Sequence, residues 1–67
     1  MEKVVNSVHN LRNVAKVTQE QLAESVGVTR QTIIAIERGN YTPSVLLALK
    51  IAKFFNKPVE RIFIYEK

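Results

Sequence analysis

Sixty-seven residues with a net charge of +4 and a sequence pI near 9.8 are expected to form one small basic domain, 1–67. A chain of that size buries only about 60% of the surface its unfolded form exposes, so its core is marginal unless dimerisation extends it. The absence of cysteine and a lone His9 leave no disulfide, thiolate metal site or histidine cluster, and the lack of aspartate and of a glycine-rich phosphate loop argues against an enzyme. The run around Val45–Leu49 is too short to span a bilayer, and no secretory signal pattern is present. The expectation is a cytoplasmic protein with no membrane, metal, cofactor or small-molecule ligand. Its basic balance suits a polyanion such as nucleic acid, although Lys50, Lys53, Lys57 and Arg61 are scattered.

In chain order, Val4, Val8, Leu11 and Ala15 recur at three- and four-residue intervals, predicting a first helix that ends near Ala15. Its start is ambiguous, because Glu2–Asn6 carries the valine pair of a short strand. Thr18 with Gln21 makes a capping box for a second helix, whose buried stripe is Leu22, Ala23 and Val26. Gly27 ends it in a left-handed conformation. Thr29 caps a third helix, with Ile33 and Ile36 inward, and Gly39-Asn40 closes it. After the turn Tyr41-Thr42-Pro43, Ser44 caps a fourth helix to about Phe55, with Val45, Ala48, Leu49, Ala52 and Phe55 expected inward and Leu46, Lys50 and Lys53 outward. Asn56-Lys57-Pro58 breaks the chain, and Val59, Ile62 and Phe63 suggest a short fifth helix. Ile64-Tyr65-Glu66 has strand character, so the two β-prone termini are expected to pair.

The two short patterns of Thr18–Arg38, joined at Gly27, have the form of a helix-turn-helix. The second begins with Arg30 and Gln31, whose forked donors suit guanine and adenine edges. Several pieces stand in order: Leu11-Arg12, Thr18-Gln19-x-Gln21-Leu22-Ala23, Gly27-Val28-Thr29-Arg30-Gln31-Thr32-Ile33, Ile36-Glu37-Arg38-Gly39, Pro43-Ser44 and Leu49–Ala52. Together they resemble the phage-repressor/Cro-like, or Xre, helix-turn-helix family over most of the chain, from Val8 to Phe63. The resemblance implies an all-α, five-helix lambda-repressor-like domain with its helix-turn-helix at about 19–38; some short members add a small terminal two-stranded ribbon. It also implies a homodimer that binds a double-stranded DNA operator and regulates transcription, with repression the usual outcome.

Position by position, the resemblance assigns Gln19 to a phosphate bond at a helix N-terminus. Arg30, Gln31 and Ile34 fall on major-groove positions, Ile34 meeting a thymine methyl; the alternatives are phosphate contacts alone and an ordinary exposed apolar residue. Thr29 and Thr32 suit phosphates or a thymine methyl, against simple capping. Arg38, Asn40 and Tyr41 fall where the family's loop touches the backbone, and Lys16 is a further phosphate candidate. Arg12 and Glu37 match a structural pair that fixes the recognition helix. Leu46 departs from the family's polar residue at that position. Phe54, Val59, Ile62, Ile64 and Tyr65 are candidates for the dimer interface, with core for part of them as the alternative, and His9 is expected to face solvent without a role. The rival from another class is an antitoxin or other protein-interaction module with DNA binding secondary, for which an extra partner-reaching segment is expected and none is seen. RNA binding is disfavoured because the aromatic residues make no stacking surface near the basic ones.

Overall fold

The computed structural model describes residues 2–67. The chain runs through strand β1 (Lys3–Asn6), helices α1 (Val8–Ala15), α2 (Gln19–Val26), α3 (Arg30–Glu37) and α4 (Val45–Phe55), a 3-10 turn at Val59–Arg61, and strand β2 (Phe63–Glu66). Among the described residues the fold is thus mostly helical with one small sheet, and it has four α-helices rather than five. The expected fifth helix is reduced to that single turn, because Pro58 starts it and Phe63 is drawn into β2. β1 and β2 pair antiparallel, with Val4 opposite Tyr65, Val5 opposite Ile64 and Asn6 opposite Phe63. The termini therefore join as the valine-rich start and aromatic end lead one to expect.

Capping chemistry explains where α2 and α3 begin and end. Thr18 Oγ1 accepts from the Gln21 backbone N–H at 3.0 Å, and the Gln21 side chain accepts from the Thr18 N–H at 2.8 Å, a complete capping box. Gly27, at φ 77°, closes α2 and opens the tight turn to Thr29. Thr29 then accepts from the Thr32 N–H, and Gly39, at φ 79°, follows the last turn of α3. α1 starts differently: Ser7 makes no side-chain cap bond, and Asn6 Oδ1 accepts the Val8 N–H at 3.1 Å instead.

The core gathers Val8, Leu22, Ala23, Val26, Ile33, Ile36, Leu47, Ile51, Ala52 and Ile62, with Leu11, Val17, Val28, Phe55, Val59 and Phe63 packed on it. Several sequence expectations need correction. In α4 the buried residues are Leu47, Ile51 and Ala52, while Val45 and Leu49 are exposed beside Leu46. At 100° per residue Leu47, Ile51 and Phe55 fall within one arc of about 80°, and Leu46, Leu49 and Lys53 lie opposite it, so this stripe and not one through Val45 and Leu49 faces the core. Ile62 is fully buried in the protomer and is therefore core, with no surface left for a partner. Ala15, expected on the inner stripe of the first helix, is exposed, and Val4 belongs to β1.

Candidate nucleic-acid interface

α2 and α3 pack against each other through Leu22, Ala23, Val26, Ile33 and Ile36, which leaves the opposite edge of α3 open. Arg30 and Gln31 stand exposed at its first turn. Arg30, half-buried Ile34 and Arg38 line one shallow cleft together with Gln19 from α2, Glu37 and His9 from α1. Arg30 and Gln19 also border a neighbouring cleft with Thr18 and Glu20 at the α2 N-terminus, where free backbone N–H groups favour an anion. Thr32 and Tyr41 lie elsewhere, in a groove with Val28, Leu46 and Lys50 between the turn and α4. Thr29 is occupied with its cap, while Lys16 and Asn40 are exposed and border neither cleft around Gln19.

The cleft is built around a buried ion pair. Arg12 Nε donates to Glu37 Oε2 at 2.8 Å and Arg12 Nη2 to Glu37 Oε1 at 3.2 Å, a forked pair linking α1 to the end of α3. Both side chains are largely withdrawn from solvent, 10% and 6% exposed. Arg12 Nη1 also donates to the Val17 carbonyl at 3.0 Å, which ties the α1–α2 connection to the same point. The bond to Glu37 raises the guanidinium's already high pKa against burial, which lowers it. Burial pushes the Glu37 carboxyl up, but hydrogen bonds from Arg12, Gln19 and His9 and the Arg12 charge together hold it below the ordinary carboxylate value. Glu37 is thus an ionised carboxylate whose charge is met from inside the protein.

Two further residues, Gln19 and His9, enter this network and a third, Asn6, braces α3 beside it, in ways that their sequence roles do not anticipate. Gln19 Nε2 donates to Glu37 Oε1 at 3.1 Å, and its Oε1 accepts from Arg30 Nε at 3.4 Å. Gln19 therefore links the buried pair to Arg30, beyond any contact with phosphate. Asn6 Nδ2 donates to the Ile36 carbonyl at 2.9 Å, alongside the Gly39 N–H at 3.0 Å, so β1 braces the end of α3. Nothing in the local sequence signals that bond, since its partner is 30 residues away. His9 is exposed, as its position on α1 suggests, yet its ring sits against Arg12, Asn13 and Glu37.

Phe54 packs edge-on against Phe55, and Ile64 and Tyr65 of β2 are exposed. Val59 is half-buried against the core. Among the described residues no helix is long and apolar enough to cross a membrane.

The helix-turn-helix family pattern matches residues 8–62. The chain is 58% identical over 64 residues to MJ0272 of Methanocaldococcus jannaschii, an uncharacterized HTH-type transcriptional regulator, covering 96% of this chain and 88% of that one. It is 53% identical over 62 residues to YgzD of Bacillus subtilis, also an uncharacterized HTH-type transcriptional regulator, covering 92% and 94% of the two chains. Its fold is similar to that of the restriction-modification controller protein C.AhdI of Aeromonas hydrophila, with a TM-score of 0.75, 28% identity, and coverage of 81% and 82%. The capped α2–Gly27–α3 unit, the polar edge of α3 and these matches agree: the chain belongs to the Xre-like helix-turn-helix family of transcriptional regulators.

Proposed function

We propose that the protein binds a near-palindromic double-stranded DNA operator as a homodimer and represses transcription, with α3 in the major groove. The observation that carries this reading is the open edge of α3. Arg30, Gln31 and Ile34 stand together at or near its surface, while Ile33 and Ile36 anchor the other side. Arg30 reads guanine through its forked donors, Gln31 reads adenine, and Ile34 and Thr32 meet thymine methyls. Gln19, Thr29, Arg38, Asn40, Tyr41 and Lys16 hold phosphates and set register. Phe54, Val59, Ile64 and Tyr65 form the dimer contact. Two copies then place their α3 helices in successive major grooves, about 34 Å apart. A dimer seated on a promoter blocks polymerase, which makes repression the expected outcome.

Selection from a random-sequence duplex pool tests this directly and is expected to return two related half-sites one helical turn apart. On the selected duplex, log affinity falls linearly with log salt. Arg30→Ala is expected to cost about 1–3 kcal/mol and to relax preference at one base pair per half-site. Uniform weakening across all sequences would make Arg30 a phosphate contact instead. Sedimentation at micromolar concentration is expected to show a dimer, and a monomer on DNA excludes the two-half-site arrangement.

A further inference from the structure

Asn6 stands where three parts of the fold meet. It is the last residue of β1 and pairs across the two-stranded ribbon with Phe63 of β2. Its half-buried side chain is divided between two partners. Oδ1 accepts the Val8 N–H at 3.1 Å at the start of α1, and Nδ2 donates to the Ile36 carbonyl at 2.9 Å in the last turn of α3. These partners fix which way the amide is turned, because the N–H needs the oxygen and the carbonyl needs the nitrogen. The start of α1 needs only the acceptor, which an aspartate or a serine also supplies to the residue two positions on. The Ile36 carbonyl is not left unpaired without Asn6 either, since it accepts the Gly39 N–H at 3.0 Å. The donor end of Asn6 is thus surplus to local satisfaction. Its distinct effect is a tie: among the described residues it is the hydrogen bond that joins the ribbon to α3.

Ile64 and Tyr65, two of the residues assigned above to the dimer contact, lie on β2 opposite Val5 and Val4 of β1. The path from that contact to α3 is therefore short: β2 pairs with β1, and Asn6 at the end of β1 holds Ile36. We propose that Asn6 is a positioning residue that fixes the angle between the ribbon and α3, and thereby how strictly the protein reads the spacing of its two half-sites. In a dimer the separation and relative rotation of the two α3 helices are set by everything that connects them. A stiff connection makes a misplaced half-site costly. A loose one lets α3 follow the displaced groove, which lowers that cost, and it adds freedom that must be frozen on the correctly spaced operator.

This inference rests on the dimeric DNA-binding reading above, and it can fail while that reading stands. The probes are the duplex selected from the random pool, the same half-sites set one base pair further apart, and a duplex that keeps one half-site. The extra base pair moves the second half-site by about 3.4 Å and turns it by about 35°. Asn6→Asp and Asn6→Ser keep an acceptor for the Val8 N–H and lose the bond to Ile36. Each is expected to narrow the parent's preference for the selected spacing by about three- to tenfold, the worth of one hydrogen bond, while changing single-half-site affinity by less than about twofold. Equal spacing preference in the parent and both variants overturns the role of Asn6. A loss that is equal on all three duplexes overturns it too, since a merely structural bond weakens them alike. In the parent, NMR scalar coupling between the Asn6 side-chain nitrogen and the Ile36 carbonyl carbon is expected in the operator complex. Its absence there overturns the inference whether or not the variants fold. A parent that binds no duplex, or binds it only as a monomer, overturns the dimeric reading and this inference with it.

Discussion

α3 and α4 are neighbouring helices held in place by different forces. α3 buries Ile33 and Ile36, but its two ends are also fixed by directional polar bonds: the Thr29 cap at the start, and Asn6, Arg12 and Gln19 converging on Ile36 and Glu37 at the finish. α4 has nine apolar residues among 11, and the side-chain hydrogen bond seen at it among the described residues is the Ser44 cap. It is positioned by burial of Leu47, Ile51 and Ala52, a force that has magnitude but little direction. A helix that must present Arg30 and Gln31 at a fixed angle gains from polar ties that specify rotation as well as contact. A helix that only closes the core does not need them.

The largest expected effect tests the orientation of α4. Ile51 is fully buried, and Ile51→Ala is expected to cost about 2–5 kcal/mol in chemical denaturation, from lost transfer energy and the cavity left behind. Leu49 is 52% exposed, and Leu49→Ala is expected to cost about 0.5 kcal/mol or less in the protomer. Reversal of that order would mean that α4 is rotated and that the contrast with α3 fails.

The same contrast explains which parts of the molecule were legible in the residues. The α2–α3 unit carries its own punctuation: Thr18 with Gln21, Gly27, Thr29 and Gly39 mark each boundary, and alternation of apolar with polar residues leaves one inward face. In α4 the apolar residues wrap most of the way around, so their spacing fits more than one stripe, and Val45 and Leu49 were as plausible inward as Leu47 and Ile51. The lysine pair, already placed outward, does not separate these stripes, because Val45 and Leu47 lie on opposite flanks of the side that faces away from it. The fifth helix failed for a related reason: after Pro58 the chain is claimed by cross-strand pairing with β1, a partner more than 50 residues away. Within the candidate interface the Arg12–Glu37 pair was available only through the family pattern. The bonds of Asn6 and Gln19 were invisible because tertiary approach creates them.

A second test removes the directional ties of α3. Glu37→Gln leaves the Arg12 charge without its partner in a mostly buried site, and the expected loss near neutral pH is about 2–4 kcal/mol. Acid titration adds a signature of its own. The folded-state pKa of Glu37 lies below the ordinary value, so near pH 4 the unfolded chain binds more protons at this position than the native one. Its contribution is complete above the ordinary carboxylate value and is lost as pH falls through the lower folded value. The parent is therefore expected to lose stability on acidification over that window, and Glu37→Gln to lose less. Equal acid sensitivity in the two proteins would mean that the pair contributes little, and that α3 like α4 is held by burial.

The smallest effect concerns the turn that sets the angle between α2 and α3. Gly27 has φ 77°, and a methyl group added to its Cα would meet nothing within 4 Å. Substitution is therefore opposed by backbone conformation alone and not by crowding. Gly27→Ala is expected to cost about 1 kcal/mol, the ordinary penalty for placing an L-residue in the left-handed region. Gly27→Asn should cost less, because asparagine visits that region more readily, as Asn56 does at φ 56° where α4 ends. Thermal denaturation of the two variants distinguishes these cases. If the turn only needs the left-handed conformation, the asparagine variant keeps both stability and duplex affinity close to the parent. A large loss of duplex affinity in both variants with stability retained would instead mean that bound DNA occupies the space beside Gly27, and the turn would then belong to the interface as well as to the scaffold.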